Sequence, residues 1–110
     1  MPKSRKVSRI MYIESKAESL NGPARIGRVT FSKTGLRIYY KNQEFYRISG
    51  FKANYRDVAN HDEYWISGPR HDGDDRLYVS DLPVFIDEDV REEYWTRVRK
   101  RPNLKDRTQT

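Results

Sequence analysis

Between residues 9 and 48, short runs of β-branched and aromatic residues alternate with turn residues at a spacing that suits a β-meander. Arg9 to Ser15 reads as a strand that offers Ile10 and Tyr12 to one face and Met11 and Ile13 to the other. Asn21-Gly22-Pro23 is turn chemistry, and Arg25 to Phe31 reads as the second strand. Gly27 inside that strand marks a bulge or a close backbone approach. Ser32-Lys33-Thr34-Gly35 is a hairpin loop, and the return strand runs from Leu36 to Lys41. Leu36, Ile38 and Tyr40 share its core face, while Arg37, Tyr39 and Lys41 share the other. A turn at Lys41-Asn42-Gln43 leads to a fourth strand at Glu44 to Ile48.

Ser49-Gly50 breaks the pattern, and Phe51 to Asp57 reads as irregular or extended. Glu63 to Ser67 is a further strand, Arg70 to Asp75 a polar loop, and Arg76 to Val79 a short return strand. Asp87 stands at an N-cap position, with Glu88 and Asp89 in the first turn. Val90, Tyr94 and Val98 form a helical stripe widened by Trp95, and Pro102 stops the helix. The expected organisation is a flexible basic arm at 1–8, one β-rich domain at 9–101 with a C-terminal helix at about 88–101, and a flexible tail at 102–110. The expected fold is mostly β: a strongly bent sheet or partly open barrel, SH3-like or OB-like, of five to seven strands with one C-terminal α-helix.

The net charge of +6 is sorted along the chain. Residues 10–56 carry nine bases and three acids, 57–93 carry three bases and twelve acids, and 94–110 carry six bases and one acid. The acidic stretch is therefore expected to lie against part of the basic stretch before it, leaving the two ends as the excess positive charge. With no cysteine, disulfides, thiolate metal sites and cysteine nucleophiles are excluded. No apolar run approaches a transmembrane length and no secretory signal follows the basic start. The cytoplasm is the expected compartment, without membrane contact.

Several stretches resemble a family of short bacterial proteins with no established activity. They are Met11-Tyr12-Ile13-Glu14, Gly22 to Val29, Phe31 to Gly35, Tyr39-Tyr40, Gly50 to Tyr55, Tyr64 to Pro69 and Asp87 to Trp95. Some members of that family carry the name of a thiamine-dependent sugar-phosphate synthase. Such an enzyme holds its diphosphate through a metal between two large α/β domains, and this chain has neither the length nor the strand-helix alternation for that. The resemblance implies a bacterial source and a compact β-rich body, and it supplies no catalytic or binding residues.

Cations and aromatic rings interleave through the meander. Arg28, Arg37, Tyr39, Lys41, Arg47 and Lys52 form a candidate nucleic-acid or partner surface, since rings stack on bases while cations track phosphates. An ordinary solvated strand face has the same composition. Tyr55, Tyr64 and Trp65 are expected to pack with Tyr94 and Trp95 as core, with an aromatic groove for a peptide as the alternative. Asp72, Asp74 and Asp75 lack EF-hand spacing, with Gly73 too early. His61, Asp62, Glu63 and His71 have no nucleophile pattern beside them. No catalytic residue, metal or cofactor is expected. The expected function is a non-enzymatic protein-interaction module. The alternative is a nucleic-acid-associated protein that holds RNA or DNA through its basic arms and strand face. Oligomeric state stays open.

Overall fold

A computed structural model describes residues 7–110. The strands are β1 (Val7–Ser15), β2 (Ala24–Phe31), β3 (Arg37–Tyr40), β4 (Gln43–Arg47), β5 (Tyr55–Asp57), β6 (Glu63–Ser67) and β7 (Val84–Ile86). Each of β1 to β6 runs antiparallel to the next, and β6 pairs back onto β1. The expected bent sheet or partly open barrel is thus a closed barrel of β1 to β6. β7 is added in parallel beside the first residues of β2.

The barrel interior holds Ile13, Val29, Ile38, Tyr40, Phe45, Tyr55 and Ile66. A second core lies outside the β1–β2 wall, where Ile10, Tyr12, Ala24 and Ile26 meet Val84, Ile86, Val90, Tyr94 and Trp95. Consecutive strand residues face opposite ways, so Tyr12 and Ile13 belong to different cores. This is why β1 carries apolar residues on both faces. Leu36, expected in the core, precedes β3 and is exposed.

β2 changes neighbours along its length. Ala24 to Ile26 pair with β7, and Thr30 and Phe31 pair with β3. Gly27 stands at the change. A Cβ there would lie 2.5 Å from Asp87 Oδ2 and 2.6 Å from the Tyr40 ring, so the close approach expected at this glycine is real.

The helical segment is shorter and less regular than a helix over 88–101. It runs through a 3-10 turn at Glu88–Val90, an α-helical turn at Arg91–Glu93 and a wide turn at Tyr94–Val98, where Arg99 N–H reaches the Tyr94 carbonyl. Widening the turn lets the adjacent Tyr94 and Trp95 both face the core. Asp87 occupies the N-cap position, but its side chain makes no capping bond. It turns into the barrel instead.

The tail is also different from expectation. Leu104 packs on the outer core, and the Trp95 indole N–H donates to the Arg107 carbonyl. Ile86 N–H donates to the Thr108 carbonyl and Thr110 N–H to the Val84 carbonyl, so 108–110 line the free edge of β7. Backbone pairing and one buried indole hold this segment, and neither has a signature in side-chain polarity. Of the expected basic arm, Val7 and Ser8 begin β1, paired with Phe31 and Thr30, and the rest lies outside the described residues. Among the described residues no helix is long and apolar enough to cross a membrane.

Candidate functional site

Residues 68–83 form one long irregular loop between β6 and β7, and the expected strand at Arg76 to Val79 is absent from it. Its base is fixed by charge. Glu14 lies on β1 in the row begun by Ile10 and Tyr12, and it is fully buried, as is Lys16 beyond it. Glu14 Oε1 accepts the Tyr12 hydroxyl at 2.7 Å. Glu14 Oε2 accepts Lys16 Nζ at 2.9 Å and Gly22 N–H at 3.0 Å, and it forms an ion pair with Arg76 Nη1 at 3.1 Å. Burial pushes the Tyr12 hydroxyl well above its ordinary value, and the bond to Glu14 adds to that, so the phenol keeps its proton and donates.

Arg76 joins three parts of the chain. Besides its ion pair with Glu14, it donates to the Gly22 carbonyl in the β1–β2 connection, at 3.0 Å, and to the Pro83 carbonyl at the loop's exit, at 3.2 Å. Lys16 Nζ also bonds the Leu20 carbonyl and lies 5.2 Å from the centre of the Tyr78 ring. A buried ionic group of this kind gains little net stability over apolar packing, but it sets one geometry.

The earlier part of the loop docks on the end of the helical segment. Gly73 (φ 79°) lies against the Arg99 guanidinium with no room for a Cβ. Arg99 in turn stacks on Trp95, 4.9 Å from the ring centre. His71 Nδ1 donates to the Val98 carbonyl at 2.9 Å. Asp75 Oδ1 accepts Arg70 N–H at 2.7 Å, and Asp72 Oδ1 accepts Asp74 N–H at 2.9 Å. These carboxylates close the loop on itself. Among the described residues no group of three or more His, Asp or Glu is placed to hold a metal ion. Asp75 Oδ2 is buried without a partner, and burial holds this carboxyl above the ordinary carboxylate value.

Above this fixed base the loop turns apolar side chains outward. Leu77 and Leu82 are exposed, and Val79 is fully so at 103%. Beside them a cavity of about 490 Å³ opens between residues 73–84 and 109–110. Asp74 and Asp81 are exposed in the same stretch, and among the described residues neither meets a cation.

The residues expected to make a basic-aromatic surface are mostly engaged with acids. Arg28 pairs with Glu93 at 2.6 Å, Arg37 with Glu44 at 2.6 Å, Lys41 with Asp87 at 3.4 Å and Lys52 with Glu63 at 3.8 Å. Arg47 lies over the Tyr55 ring, and Tyr39 is half-buried. This face is nearer to neutral than its content of Arg and Lys predicts. Arg25–Asp87, Arg28–Glu93 and Arg56–Glu63 show the acidic stretch lying against the basic one, as the sorted charge implies.

Tyr55, Tyr64 and Trp65 pack as core, as expected, and do not share a groove. Tyr55 is buried in the barrel, Tyr64 packs edge-on against Phe45 inside it, and Trp65 points to the outer core. The sequence reading missed Glu14, Lys16 and Arg76. Their one signal is that Glu14 and Lys16 continue the alternate-residue row of Ile10 and Tyr12 into what proves to be buried space. No protein-family model, curated protein or solved structure matches this chain, so its functional reading rests on this geometry.

Proposed function

We propose that the protein is a non-enzymatic interaction module that docks a segment of a protein partner on the 68–83 loop. The observation that carries this is the contrast within the loop. Its base is locked by the buried Arg76 and Glu14, while Leu77, Val79 and Leu82 face solvent and add nothing to either core. Covering such side chains is worth roughly 1.5–3 kcal/mol each when complete, which a partner gains on docking. Loops set on a rigid scaffold are where binding residues concentrate. The exposed Asp74 and Asp81 favour a partner segment that mixes apolar residues with Lys or Arg.

Photo-crosslinking from Ser80 in the full chain tests the reading. A discrete partner captured by the native protein is expected to bind at least about tenfold more weakly, a loss of ~1.4 kcal/mol, when Leu77, Val79 and Leu82 are all changed to Ser. Leu36→Ser, at another exposed apolar position, is expected to bind normally. Equal capture by all three proteins contradicts the proposal.

A further inference from the structure

We infer that residues 100–107 form a second, independent site: a surface that binds the phosphate backbone of double-stranded nucleic acid without reading its sequence. Lys100, Arg101, Lys105 and Arg107 are all exposed. Among the described residues none of the four lies within ion-pair distance of a carboxylate, in contrast to the strand-face cations. Asp106 is the one acid in this stretch.

The backbone that carries these cations is folded. Lys100 adopts a left-handed conformation (φ 57°) that reverses the chain, and Arg101 N–H returns to the Trp95 carbonyl at 2.7 Å. Leu104, Lys105 and Arg107 donate to the carbonyls of Arg101, Pro102 and Leu104, and the Arg107 carbonyl accepts the Trp95 indole. A fixed backbone presents its charge with little ordering entropy to lose on binding. The carbonyls ending the helical segment are occupied by Arg99 N–H, Arg101 N–H and His71, which blunts their repulsion of an anion.

Two further features choose the polymer. No aromatic residue lies in 99–107, so there is no platform for unstacked bases, and the closely spaced phosphates of a duplex are the better match. Leu104 is packed on the core and half-buried, which leaves no apolar wedge to enter an acyl layer.

The test is fluorescence anisotropy of a labelled 20-bp DNA duplex with the full chain across a salt series. Four phosphate contacts predict a slope of log K against log salt of about −3.6, and on the order of 10²-fold weaker binding at about 200 mM salt than at about 50 mM. Duplexes of unrelated sequence are expected to bind alike. Combining Lys100→Asn, Arg101→Gln, Lys105→Gln and Arg107→Gln is expected to abolish binding. Asn is chosen at 100 because it tolerates the left-handed conformation, and near-UV circular dichroism reports whether Trp95 stays packed. If that variant unfolds, Lys105→Gln with Arg107→Gln is expected to flatten the slope by about two. An unchanged slope overturns the proposal. So does binding that is lost only when Lys3, Arg5 and Lys6 are changed to Gln. Tighter binding to a single strand, or to anionic vesicles in place of DNA, also overturns it.

Discussion

Two of the buried carboxylates lie on opposite sides of the β1–β2 wall, and they are neutralised differently. Glu14, on the outer side, meets cations that are themselves buried: Lys16 at 0% and Arg76 at 7% side-chain exposure. Asp87, at the barrel's end, meets the Tyr40 hydroxyl at 2.5 Å and Arg25 at 2.6 Å, with Lys41 at 3.4 Å. Arg25 and Lys41 remain about half in solvent. The Asp87 cations therefore keep much of their hydration, and losing the carboxylate leaves them wet. The Glu14 cations have given theirs up and depend on the carboxylate. The lesson is one of rigidity. The Asp87 group ties the helical segment to the barrel through partners that can relax, whereas the Glu14 group holds the 68–83 loop through partners that cannot.

The largest expected effect comes from Glu14→Gln. It strands two buried cations, so the protein is expected to lose about 3–5 kcal/mol. For a domain of this size that lowers the melting temperature by about 15–25 °C. A loss no greater than that of Asp87→Asn breaks the comparison.

Asp87→Asn is expected to cost about 1–2 kcal/mol at neutral pH, a modest figure because both cations are solvated. The effect should depend on pH. Burial alone would raise the Asp87 carboxyl, but the Tyr40 hydroxyl and Arg25 outweigh it and hold it below its ordinary value of 3.8. The native carboxylate thus adds stability that is complete above that value and is lost as pH falls through the lower folded-state value. Chemical denaturation from pH 7 to pH 2 should show the native protein and Asp87→Asn converging at the acid end. A constant gap contradicts this.

The smallest effect has the opposite sign. Asp75 is buried with no ion-pair partner among the described residues, and burial raises its carboxyl above the ordinary value. The folded state holds this proton more tightly than the unfolded chain does. Stability therefore falls as pH rises from the ordinary value through the folded one. Asp75→Asn, which keeps an oxygen for Arg70 N–H, is expected to raise stability at pH 7 by up to about 1 kcal/mol and to change little below pH 3. Destabilisation at pH 7 places Asp75 among the cation-supported carboxylates instead.

The barrel was legible because strand composition and its flanking turn residues are local signals. The runs at Arg9 to Ser15, Arg25 to Phe31 and Glu63 to Ser67 are short, rich in β-branched and aromatic residues and bounded by turn residues, and strands form there. Tyr55–Asp57 was not legible as a strand, because three residues hold too little pattern. Arg76 to Val79 alternates like a strand, yet Arg76 turns to Glu14, and the free edge of β7 is taken by residues 108–110. Asp87 looked like a helix cap, and only the fold reveals Tyr40 and Arg25 within reach of it. The candidate loop was the least legible part. Its anchors lie on β1 and its exposed residues read as a weak strand, so nothing local separates Leu77 and Val79 from core residues.

The most direct test of the account is backbone ¹⁵N relaxation over residues 76–82, the part of the loop beyond the separate anchors at His71, Gly73 and Asp75, in the native protein and in Arg76→Met. Arg76 is expected to hold the loop nearly as rigid as the barrel, with order parameters of about 0.8 that drop below about 0.6 in the variant while β1 to β6 are unchanged. A loop already below about 0.6 in the native protein, or one that stays rigid without the guanidinium, contradicts the claim that the buried charge sets its geometry.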